Sequence, residues 1–348
     1  MSRIFVGMSG GVDSTVAAAL LKDEGHEVVG VTLKLWDEAS RCCNLEDIQD
    51  ARKAAFKLGI KHYVLNMKDD FKKSVVDYFI RSYIKGITPN PCVICNEEIK
   101  FRALLQKVKE NNFDYAATGH YARIKEKNGK YLLKEARDKT KTQEYFLSRL
   151  APAELKSIIF PLGEYKKSEV VKLAKSLDVY VEKPESQEVC FMHKNETPYE
   201  FIKRNSDISM IEKGAFYDSG GGKISDISDS AYFNYTLGQR KGLGISAGKP
   251  VYVVKIDAEK KRVVVGDKKE AYAQRFMVSS LNILIPQKKP EFHAKVKVRY
   301  KQKKAEAFVS ISGSNAEITF REPQFAVTPG QLAVIYRADA VIGSGFIE

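Results

Sequence analysis

A glycine- and serine-rich turn near the start of the chain is the feature that most restricts its fold. It follows an apolar run that predicts a strand over Arg3 to Met8, and it precedes an alanine-rich run that predicts a helix over Thr15 to Glu24. Adjacent glycines let successive backbone N–H groups point at an anion, and the dipole of the following helix adds to the attraction. The turn lacks the Lys-Ser/Thr ending of a Walker A loop, so γ-phosphate transfer is not indicated. It predicts a phosphate site formed by Gly7, Met8, Ser9, Gly10, Gly11, Val12, Asp13 and Ser14.

Strand and helix patterns alternate from residue 3 to about residue 120, which indicates an α/β fold with a doubly wound parallel sheet. In such sheets ligands bind at the carboxyl ends of the strands. Leu33, late in the second strand, and Gly119, after a later one, share that edge with the glycine-rich turn. Asn44, followed by Asp47, gives one helix a capping-box-like start. The predicted strands are Arg3 to Met8, Glu27 to Leu35, His62 to Asn66 and Tyr115 to Gly119, and the predicted helices are Thr15 to Glu24, Leu45 to Leu58, Asp70 to Lys85 and Glu97 to Glu110.

The rest of the chain predicts three further kinds of structure. The Asn128-Gly129 turn predicts a hairpin over Tyr121 to Ala136, and a mostly helical region follows it. From about residue 206 the chain is rich in Gly and Ser and then in β-branched residues, which indicates small β modules, the last a barrel or sandwich. We therefore expect an α/β domain over residues 1–205 with a helical extension over 143–205, a central β-rich module over 206–275 and a C-terminal β-barrel over 276–348. Helices are predicted over Phe146 to Leu155, Glu169 to Leu177 and Pro198 to Arg204, and strands over Val251 to Ile256, Arg262 to Val265, Ala294 to Tyr300, Ala307 to Ile311, Ala316 to Phe320 and Leu332 to Tyr336.

Charge and cysteine content limit the class of protein. The 57 Lys and Arg against 44 Asp and Glu give a net charge of +13, which favours a polyanionic partner, nucleic acid before a membrane surface. No apolar run is long enough to span a bilayer and no basic-then-apolar leader opens the chain, so we expect a cytoplasmic protein with no membrane partner. Five cysteines, at positions 42, 43, 92, 95 and 190, indicate thiols, redox sites or ligands rather than a disulfide framework.

Two of these cysteines lie in a proline-stiffened segment, Thr88 to Phe101. Asn96 is predicted to cap a helix that begins at Glu97, so Cys95 would lie at a helix N-terminus, where the dipole favours thiolate. Cys92 and Cys95 form a Cys-x-x-Cys pair, which fits a redox pair, half of a metal site, or one functional cysteine beside a passenger. The sequence has no second such pair for a zinc site, and we expect no metal.

The remaining cysteines and the histidines carry less information alone. Cys190 ends a proline-started segment, and by itself it is more readily interpreted as a small buried residue than as a reactive thiol. The Cys42-Cys43 doublet is expected to be structural. His120, after a predicted strand, is interpreted as a loop hydrogen bonder rather than a base.

Taken together, these segments occur in the order seen in tRNA-specific 2-thiouridylases, the MnmA family. The Ser-Gly-Gly-x-Asp-Ser turn resembles the pyrophosphate loop of ATP pyrophosphatases, which split ATP into AMP and pyrophosphate. The resemblance covers nearly the full length of the chain, and the order of the motifs makes it specific. The matching segments are Gly7 to Ser14, Thr88 to Phe101, Thr118 to Tyr121, Gln143 to Leu147, Glu185 to Phe191, Tyr235 to Gly244 and Ala326 to Gln331.

The resemblance implies ATP-dependent 2-thiolation of the wobble uridine of tRNAs for Lys, Glu and Gln, by a monomer. ATP, with Mg²⁺, would be bound by the glycine-rich turn, Leu33 and Gly119. Cys95 corresponds to the family's catalytic nucleophile and Cys190 to its persulfide-carrying cysteine, which implies tRNA and a persulfide donor as partners. The implied tRNA contacts are Asn90, Pro91 and Cys92 at the target base, and Thr142, Gln143, Glu144, Arg299 and Tyr300 elsewhere.

The need for two cysteines also follows from the reactants. A uridine carbonyl oxygen leaves badly, so adenylation would convert it into an AMP leaving group with release of pyrophosphate. Sulfur must arrive as a persulfide, and a second thiol must take up the outer S–S bond as sulfur passes to carbon. The chain departs from the family in two places. Some members carry Asp where it has Cys92, and many carry Gly-x-His-x-Gly where it has Ile227 to Ala231.

The sequence leaves three alternatives open. Cys92, Cys95 and Cys190 could ligate an iron–sulfur cluster that holds an external sulfide. The phosphate loop could instead serve an adenylating ligase that needs neither Cys95 nor Cys190, or be a relict in a non-catalytic RNA-binding protein. Basic residues in the strand Ala294 to Lys301 and at Arg240 fit either a solvated surface or a face that tracks RNA phosphates.

Overall fold

The computed structural model describes residues 1–36, 45–179, 189–206, 212–245 and 248–348. The Cys42-Cys43 doublet, the expected cap Asn44 and the part of the Cys190 segment up to residue 188 lie outside the described residues. In the ranges that are described, no helix combines the length and the apolar character needed to cross a membrane.

The N-terminal part of the chain forms the predicted parallel sheet. Among the described residues it has five strands in the order β3-β2-β1-β4-β7. The central β1 pairs in parallel with β2 on one side and β4 on the other, and all three are largely buried, as expected for strands covered on both faces. The short edge strand β7 was not predicted. The strands are β1 (Arg3–Gly7), β2 (Glu27–Lys34), β3 (Lys61–Asn66), β4 (Tyr115–Thr118) and β7 (Ile158–Ile159).

The helices of this domain match the predicted ones except around Cys95. The prediction that Asn96 caps a helix beginning at Glu97 is wrong. The helix begins at Pro91, which suits the first helical position because its missing N–H has no partner to lose there. Asn96 lies inside it and its Nδ2 donates to the Phe146 carbonyl at 3.3 Å. The helical elements are α1 (Val12–Asp23), α2 (Leu45–Lys57), α3 (Lys68–Phe71), a π-helical turn (Lys72–Val76), α4 (Asp77–Ile84), α5 (Pro91–Ile94), a π-helical turn (Cys95–Phe101) and α6 (Arg102–Glu110).

The predicted hairpin is confirmed, with strands β5 (Ala122–Lys127) and β6 (Lys130–Glu135). Its two turn residues have positive φ, 52° at Asn128 and 72° at Gly129, as a two-residue hairpin turn requires. The hairpin also leaves its own domain: β6 pairs with a strand near the C-terminus, Lys134 opposite Ala340.

The helix predicted over Phe146 to Leu155 is wrong. The structure has only α7 (Glu144–Leu147), after which the chain is irregular up to a 3₁₀ turn (Leu155–Ser157). The carbonyls of Ser148 and Leu150 accept hydrogen bonds from the Asn282 amide, at 2.9 and 3.0 Å, and so serve a contact between domains. The other helices are confirmed, and this region comprises a 3₁₀ turn (Pro161–Glu164), α8 (Lys167–Ser176) and α9 (Pro198–Asn205).

The C-terminal half forms two β units. Four of the described strands form the central sheet, in the order β10-β11-β8-β9. Six later strands form an antiparallel barrel, which the pairing of β12 with β17 closes. The barrel confirms the predicted fold, although the boundary expected at 276 falls inside β12. The strands are β8 (Ala215–Asp218), β9 (Lys223–Asp226), β10 (Tyr252–Asp257), β11 (Arg262–Gly266), β12 (Tyr272–Ile283), β13 (Glu291–Lys297), β14 (Ala305–Ser312), β15 (Asn315–Phe325), β16 (Leu332–Arg337) and β17 (Ala340–Ile347), and 3₁₀ turns cover Tyr232–Asn234 and Lys268–Ala271.

All three units meet at Thr88, just before the helix that carries Cys92 and Cys95. The barrel residue Gln331 donates from Nε2 to the carbonyls of Thr88 and Pro89, at 2.9 and 3.1 Å. The Thr88 amide donates to the Pro329 carbonyl at 3.1 Å, and its hydroxyl contacts the Thr236 hydroxyl of the central module at 3.3 Å. The barrel and the central module therefore hold the segment that leads into the helix of Cys92 and Cys95.

Replacing Gln331 with Leu is expected to loosen this segment. Leu keeps the volume but removes both donated hydrogen bonds, each worth about 1 kcal/mol. Hydrogen exchange of the Thr88 amide should quicken by about tenfold, while the barrel strands keep their protection. Gln324→Leu is the matched control because the Gln324 amide bonds only locally, to the Glu322 carbonyl at 2.8 Å. Equal exchange at Thr88 in both variants would contradict this assignment.

Candidate active site

The glycine-rich turn has a backbone conformation that requires glycine at one of its positions. Gly10 has a φ of +74°, and a Cβ there would lie 2.3 Å from the Asp47 carbonyl oxygen. The Ser14 hydroxyl accepts from the Ser9 amide at 3.1 Å and donates to the Gly11 carbonyl at 3.0 Å. These bonds tie the turn to the first turn of α1, the geometry expected of an anion site at a helix N-terminus.

Gly119 brings the turn after β4 against the start of α1. A Cβ on Gly119 would lie 2.7 Å from both the Asp13 carbonyl carbon and the Ser14 amide nitrogen. No side chain fits at that distance, so this close approach of two backbones requires glycine. The turn between β1 and α1 and the turn after β4 thus form one continuous wall.

A cavity of about 220 Å³ opens at this carboxyl edge of the sheet. Its phosphate-loop side is polar, and Val31, Leu33, Leu35 and Leu104 give it an apolar side suited to a flat ring. Of the predicted nucleotide set it is lined by Gly7, Met8, Ser9, Asp13, Ser14, Leu33 and Gly119, whereas Gly10, Gly11 and Val12 shape the turn without lining the cavity. The lining residues that the sequence did not predict for this site are Val31, Leu35, Lys100, Leu104, Thr118, His120 and Gln143.

Asp13 is the only carboxylate among the described residues that line the cavity. The Tyr121 hydroxyl donates to its Oδ1 at 2.8 Å. The Lys167 ammonium at the start of α8 contacts Oδ1 at 2.8 Å and Oδ2 at 2.7 Å. Neither residue was predicted to belong to the site.

His120 is a neutral hydrogen bonder, as the sequence predicted. Its Nδ1 lies 2.7 Å from the Thr118 hydroxyl, and its ring packs between the rings of Phe101 and Phe160. Burial, followed by the positive charge of Lys100, lowers the pKa of His120 to about 3. His120 therefore carries no charge near pH 7.

The two cysteines expected to handle sulfur share one support. Cys95 is 6% exposed and lies within its helix, whereas Cys92 is exposed in the first turn and Cys190 is half-buried. The helical segment from 68 to 84 packs against the helix of Cys95. The same segment also holds Phe191, the residue next to Cys190. The Phe191 ring packs edge-on against the rings of Phe71 and Phe79, at centroid distances of 5.7 and 5.1 Å.

The residues expected at the target base lie beside this support. Asn90 and Pro91 are buried, and the Asn90 side chain donates from Nδ2 to Gln331 Oε1 at 3.5 Å. Cys92 is the exposed member of the group. The structure therefore brings the predicted base-contacting segment, Cys95 and the barrel together. Of Asn90, Pro91 and Cys92, only Cys92 has an exposed side chain.

The other residues expected to contact tRNA divide into inward and outward groups. Thr142 and Glu144 are buried and bond to each other, and Glu144 also accepts from the Tyr336 hydroxyl at 2.8 Å. Their side chains therefore join α7 to the barrel. Gln143 instead lines the cavity, and its Oε1 accepts from the Tyr121 amide at 2.9 Å.

Arg299, Tyr300 and Arg240 lie nearer the surface. Arg299 donates to the Leu237 carbonyl at 2.9 Å and to the Thr328 hydroxyl, which links barrel and central module. The Tyr300 ring packs on the Phe146 ring at a centroid distance of 4.5 Å. Arg240 is exposed. A tRNA contact by any of these residues stays a prediction.

Three family models match successive parts of the chain. Residues 2–194 match the tRNA methyl transferase HUP domain, residues 210–267 the tRNA methyl transferase PRC-barrel domain and residues 273–347 the aminomethyltransferase beta-barrel domain. In solved structures, a 4-thiouridine synthetase–RNA complex with bound ATP is similar, with a TM-score of 0.37 at 16% identity over 51% of this chain and 41% of that chain.

Curated relatives match over the full length. The tRNA-specific 2-thiouridylase MnmA 2 of Caldanaerobacter subterraneus subsp. tengcongensis is 45% identical over 100% of this chain and 98% of its own length. The tRNA-specific 2-thiouridylase MnmA of Acetivibrio thermocellus is 44% identical over 99% of each chain. The chain combines an α/β domain with a central β module and a barrel, and it belongs to the tRNA-specific 2-thiouridylase MnmA family.

Replacing Gly119 with Ala is expected to weaken nucleotide binding at the proposed site by at least about fivefold. The added methyl group must push the start of α1 away, and overpacking of this kind costs about 1–3 kcal/mol. Calorimetry with an ATP analogue measures the effect. Gly129→Asn is the control, because nothing lies within 4 Å of a Cβ at the hairpin turn and Asn tolerates positive φ. Wild-type affinity in Gly119→Ala would refute the close-approach argument.

Acidification is expected to destabilise the wild type more than His120→Gln. The pKa of His120 is about 3 in the folded chain against 6.5 for the ordinary residue, so only the unfolded state gains a proton between these values. The stability that neutral His120 contributes is fully present above pH 6.5 and is lost as the pH falls. Between pH 6.5 and 5 the loss is about 2 kcal/mol. Denaturant unfolding at pH 7 and pH 5 measures it, and equal losses in both proteins would contradict the assignment.

Proposed function

We propose that this protein is an ATP-dependent enzyme that 2-thiolates the wobble uridine of tRNAs for Lys, Glu and Gln. The observation that carries the proposal is the full-length relationship to tRNA-specific 2-thiouridylases, with a phosphate loop and two cysteine segments in one domain. The net charge of +13 supports a polyanionic substrate. We propose three domains with the limits 1–205, 206–275 and 276–348, of which the last two divide within β12 (Tyr272–Ile283).

ATP would lie across the carboxyl edge of the sheet. The phosphates would face the amides of the glycine-rich turn and the N-terminus of α1, and the base would face the apolar side at Leu33. Mg²⁺ is usually bound by one or two carboxylates together with substrate phosphates. Asp13 is the single carboxylate in the described part of the lining and both of its oxygens already contact Lys167, so Mg²⁺ would be bound through the phosphates of ATP.

Sulfur transfer would proceed in balanced steps. The uridine O2 attacks the α-phosphorus of ATP and pyrophosphate leaves. The terminal sulfur of a Cys190 persulfide attacks C2 and AMP leaves with the original oxygen. The Cys95 thiolate then attacks the Cys190 sulfur, which forms a Cys95–Cys190 disulfide and leaves the thiocarbonyl on the base. A reductant must restore both thiols before Cys190 is loaded again.

The alternatives gain less support. Within the described ranges, no group of three His, Cys, Asp or Glu side chains is arranged to hold a metal ion, so the iron–sulfur alternative has no support from Cys92, Cys95 and Cys190. An adenylating ligase would need neither Cys95 nor Cys190. It remains the competing activity that the following experiments distinguish.

The function is tested by incubating the protein with tRNA, ATP and a cysteine desulfurase with cysteine, followed by mass spectrometry of the nucleosides. We expect 2-thiouridine at the wobble position, dependent on ATP, with one pyrophosphate released for each thiolation. Pyrophosphate release without any thionucleoside would favour the ligase. The absence of tRNA-dependent ATP consumption would favour a non-catalytic RNA-binding protein.

Variants that lack one of the two cysteines are expected to stop at different steps of the reaction. Cys190→Ala should still release pyrophosphate with tRNA but form no 2-thiouridine, because no persulfide is carried. Cys95→Ala should trap tRNA on Cys190 through a disulfide, because the thiol that resolves it is missing. Denaturing gels with and without reductant detect that adduct, and the double variant is the control. Normal thiolation by either single variant would refute the two-cysteine mechanism.

A further inference from the structure

The cavity assigned to the triphosphate has a carboxylate in its wall, and that charge opposes the binding of an anion. Asp13 lies in the phosphate loop itself, with its side chain 32% exposed. Like charges at a partly buried site repel more strongly than they do in water. A cation of the protein that offsets the Asp13 charge would therefore favour the binding of a nucleotide.

We propose that Lys167 is a positioning residue of the nucleotide site, which neutralises Asp13 and fixes its side chain so that the triphosphate can bind. This inference rests on the proposed ATP site. Lys167 contacts both oxygens of the Asp13 carboxylate, at 2.8 and 2.7 Å, and its side chain is 23% exposed. Lys167 acts through Asp13 and does not itself line the cavity among the described residues.

The surroundings hold Lys167 in place. The Lys167 amide donates to Asp138 Oδ2 at 3.0 Å, and the preceding Lys166 amide donates to Glu169 Oε2 at 2.7 Å. These bonds fix the first turn of α8. The ammonium of Lys167 also lies 5.9 Å from the centre of the Tyr121 ring, which adds a weak cation–π attraction.

Tyr121 is the second residue that contacts the Asp13 carboxylate, at the oxygen Oδ1 that Lys167 also contacts. Its hydroxyl donates to Asp13, while its backbone is held twice by Gln143: the Tyr121 amide donates to Gln143 Oε1 at 2.9 Å, and the Gln143 amide donates to the Tyr121 carbonyl at 2.7 Å. Because Gln143 lines the cavity, the charge at Asp13 is connected to a second lining residue. The region after the hairpin is thereby part of the nucleotide site.

The test is a double-mutant cycle on the full-length protein, with calorimetric binding of α,β-methylene-ATP as the readout. Lys167→Gln should raise the Kd at least tenfold, because the Asp13 charge is left facing the phosphates. In an Asp13→Asn background, where that charge is absent, the same change should alter the Kd less than twofold. Lys167→Arg should keep most of the affinity because it preserves the charge.

Controls separate this role from a structural one. Lys172→Gln, at an exposed position on the same helix, should bind like the wild type. In steady state, Lys167→Gln should raise the KM for ATP and leave the KM for tRNA unchanged, with an unaltered thermal unfolding midpoint. An equal loss in both backgrounds would mean that Lys167 acts on the phosphates directly, and an unchanged Kd would mean that it does not act at all. Either result would overturn the inference about Lys167 and leave the proposed ATP site standing. A wild-type protein that does not bind the analogue would overturn the proposed ATP site as well.

Discussion

The proposed nucleotide site depends on one close approach between two backbones, that of Gly119 to the first turn of α1. It fixes the distance between the phosphate loop and the neighbouring turn, and so the width of the cavity. Once this distance is set, the surrounding side chains have defined roles. Ser14 closes the loop on itself, and Asp13 is presented to Tyr121 and Lys167. A parallel sheet provides this arrangement because both turns end at the same edge.

A second constraint concerns Cys95 and Cys190, which are distant in the sequence and are supported by one helical segment. The helical segment from 68 to 84 packs on the helix of Cys95 and also holds Phe191 beside Cys190. The barrel then fixes the approach to that helix through Gln331 and the Thr88 backbone. Substrate bound on the barrel would thus be mechanically connected to the segment that we assign to the target base. The barrel thus supports the segment that leads into the helix of Cys92 and Cys95.

Local patterns predicted the parallel sheet, its ligand edge and the turn at Asn128 and Gly129, because alternating apolar runs and turn residues report local structure directly. They failed where contacts distant in sequence decide the conformation. Asn96 resembles a cap, yet the helix begins at Pro91 and Asn96 bonds to Phe146. The strands β12 and β17, which close the barrel, were not predicted. In β17 the pattern is interrupted by Gly343, unfavourable in most strands, which is needed where a Cβ would lie 2.5 Å from the Asn282 carbonyl oxygen. Lys167 could not be predicted from the sequence at all, since nothing local marks it as the partner of Asp13.

The central claim is that the phosphate loop activates a base oxygen and that the cysteines then replace it with sulfur. A single-turnover reaction with tRNA labelled with ¹⁸O at uridine O2 tests this most directly. The account predicts that the label appears in AMP, in an amount equal to the 2-thiouridine formed, because the uridine oxygen attacks the α-phosphorus and leaves with it. Label retained in the tRNA or released to water, with unlabelled AMP, would contradict the account.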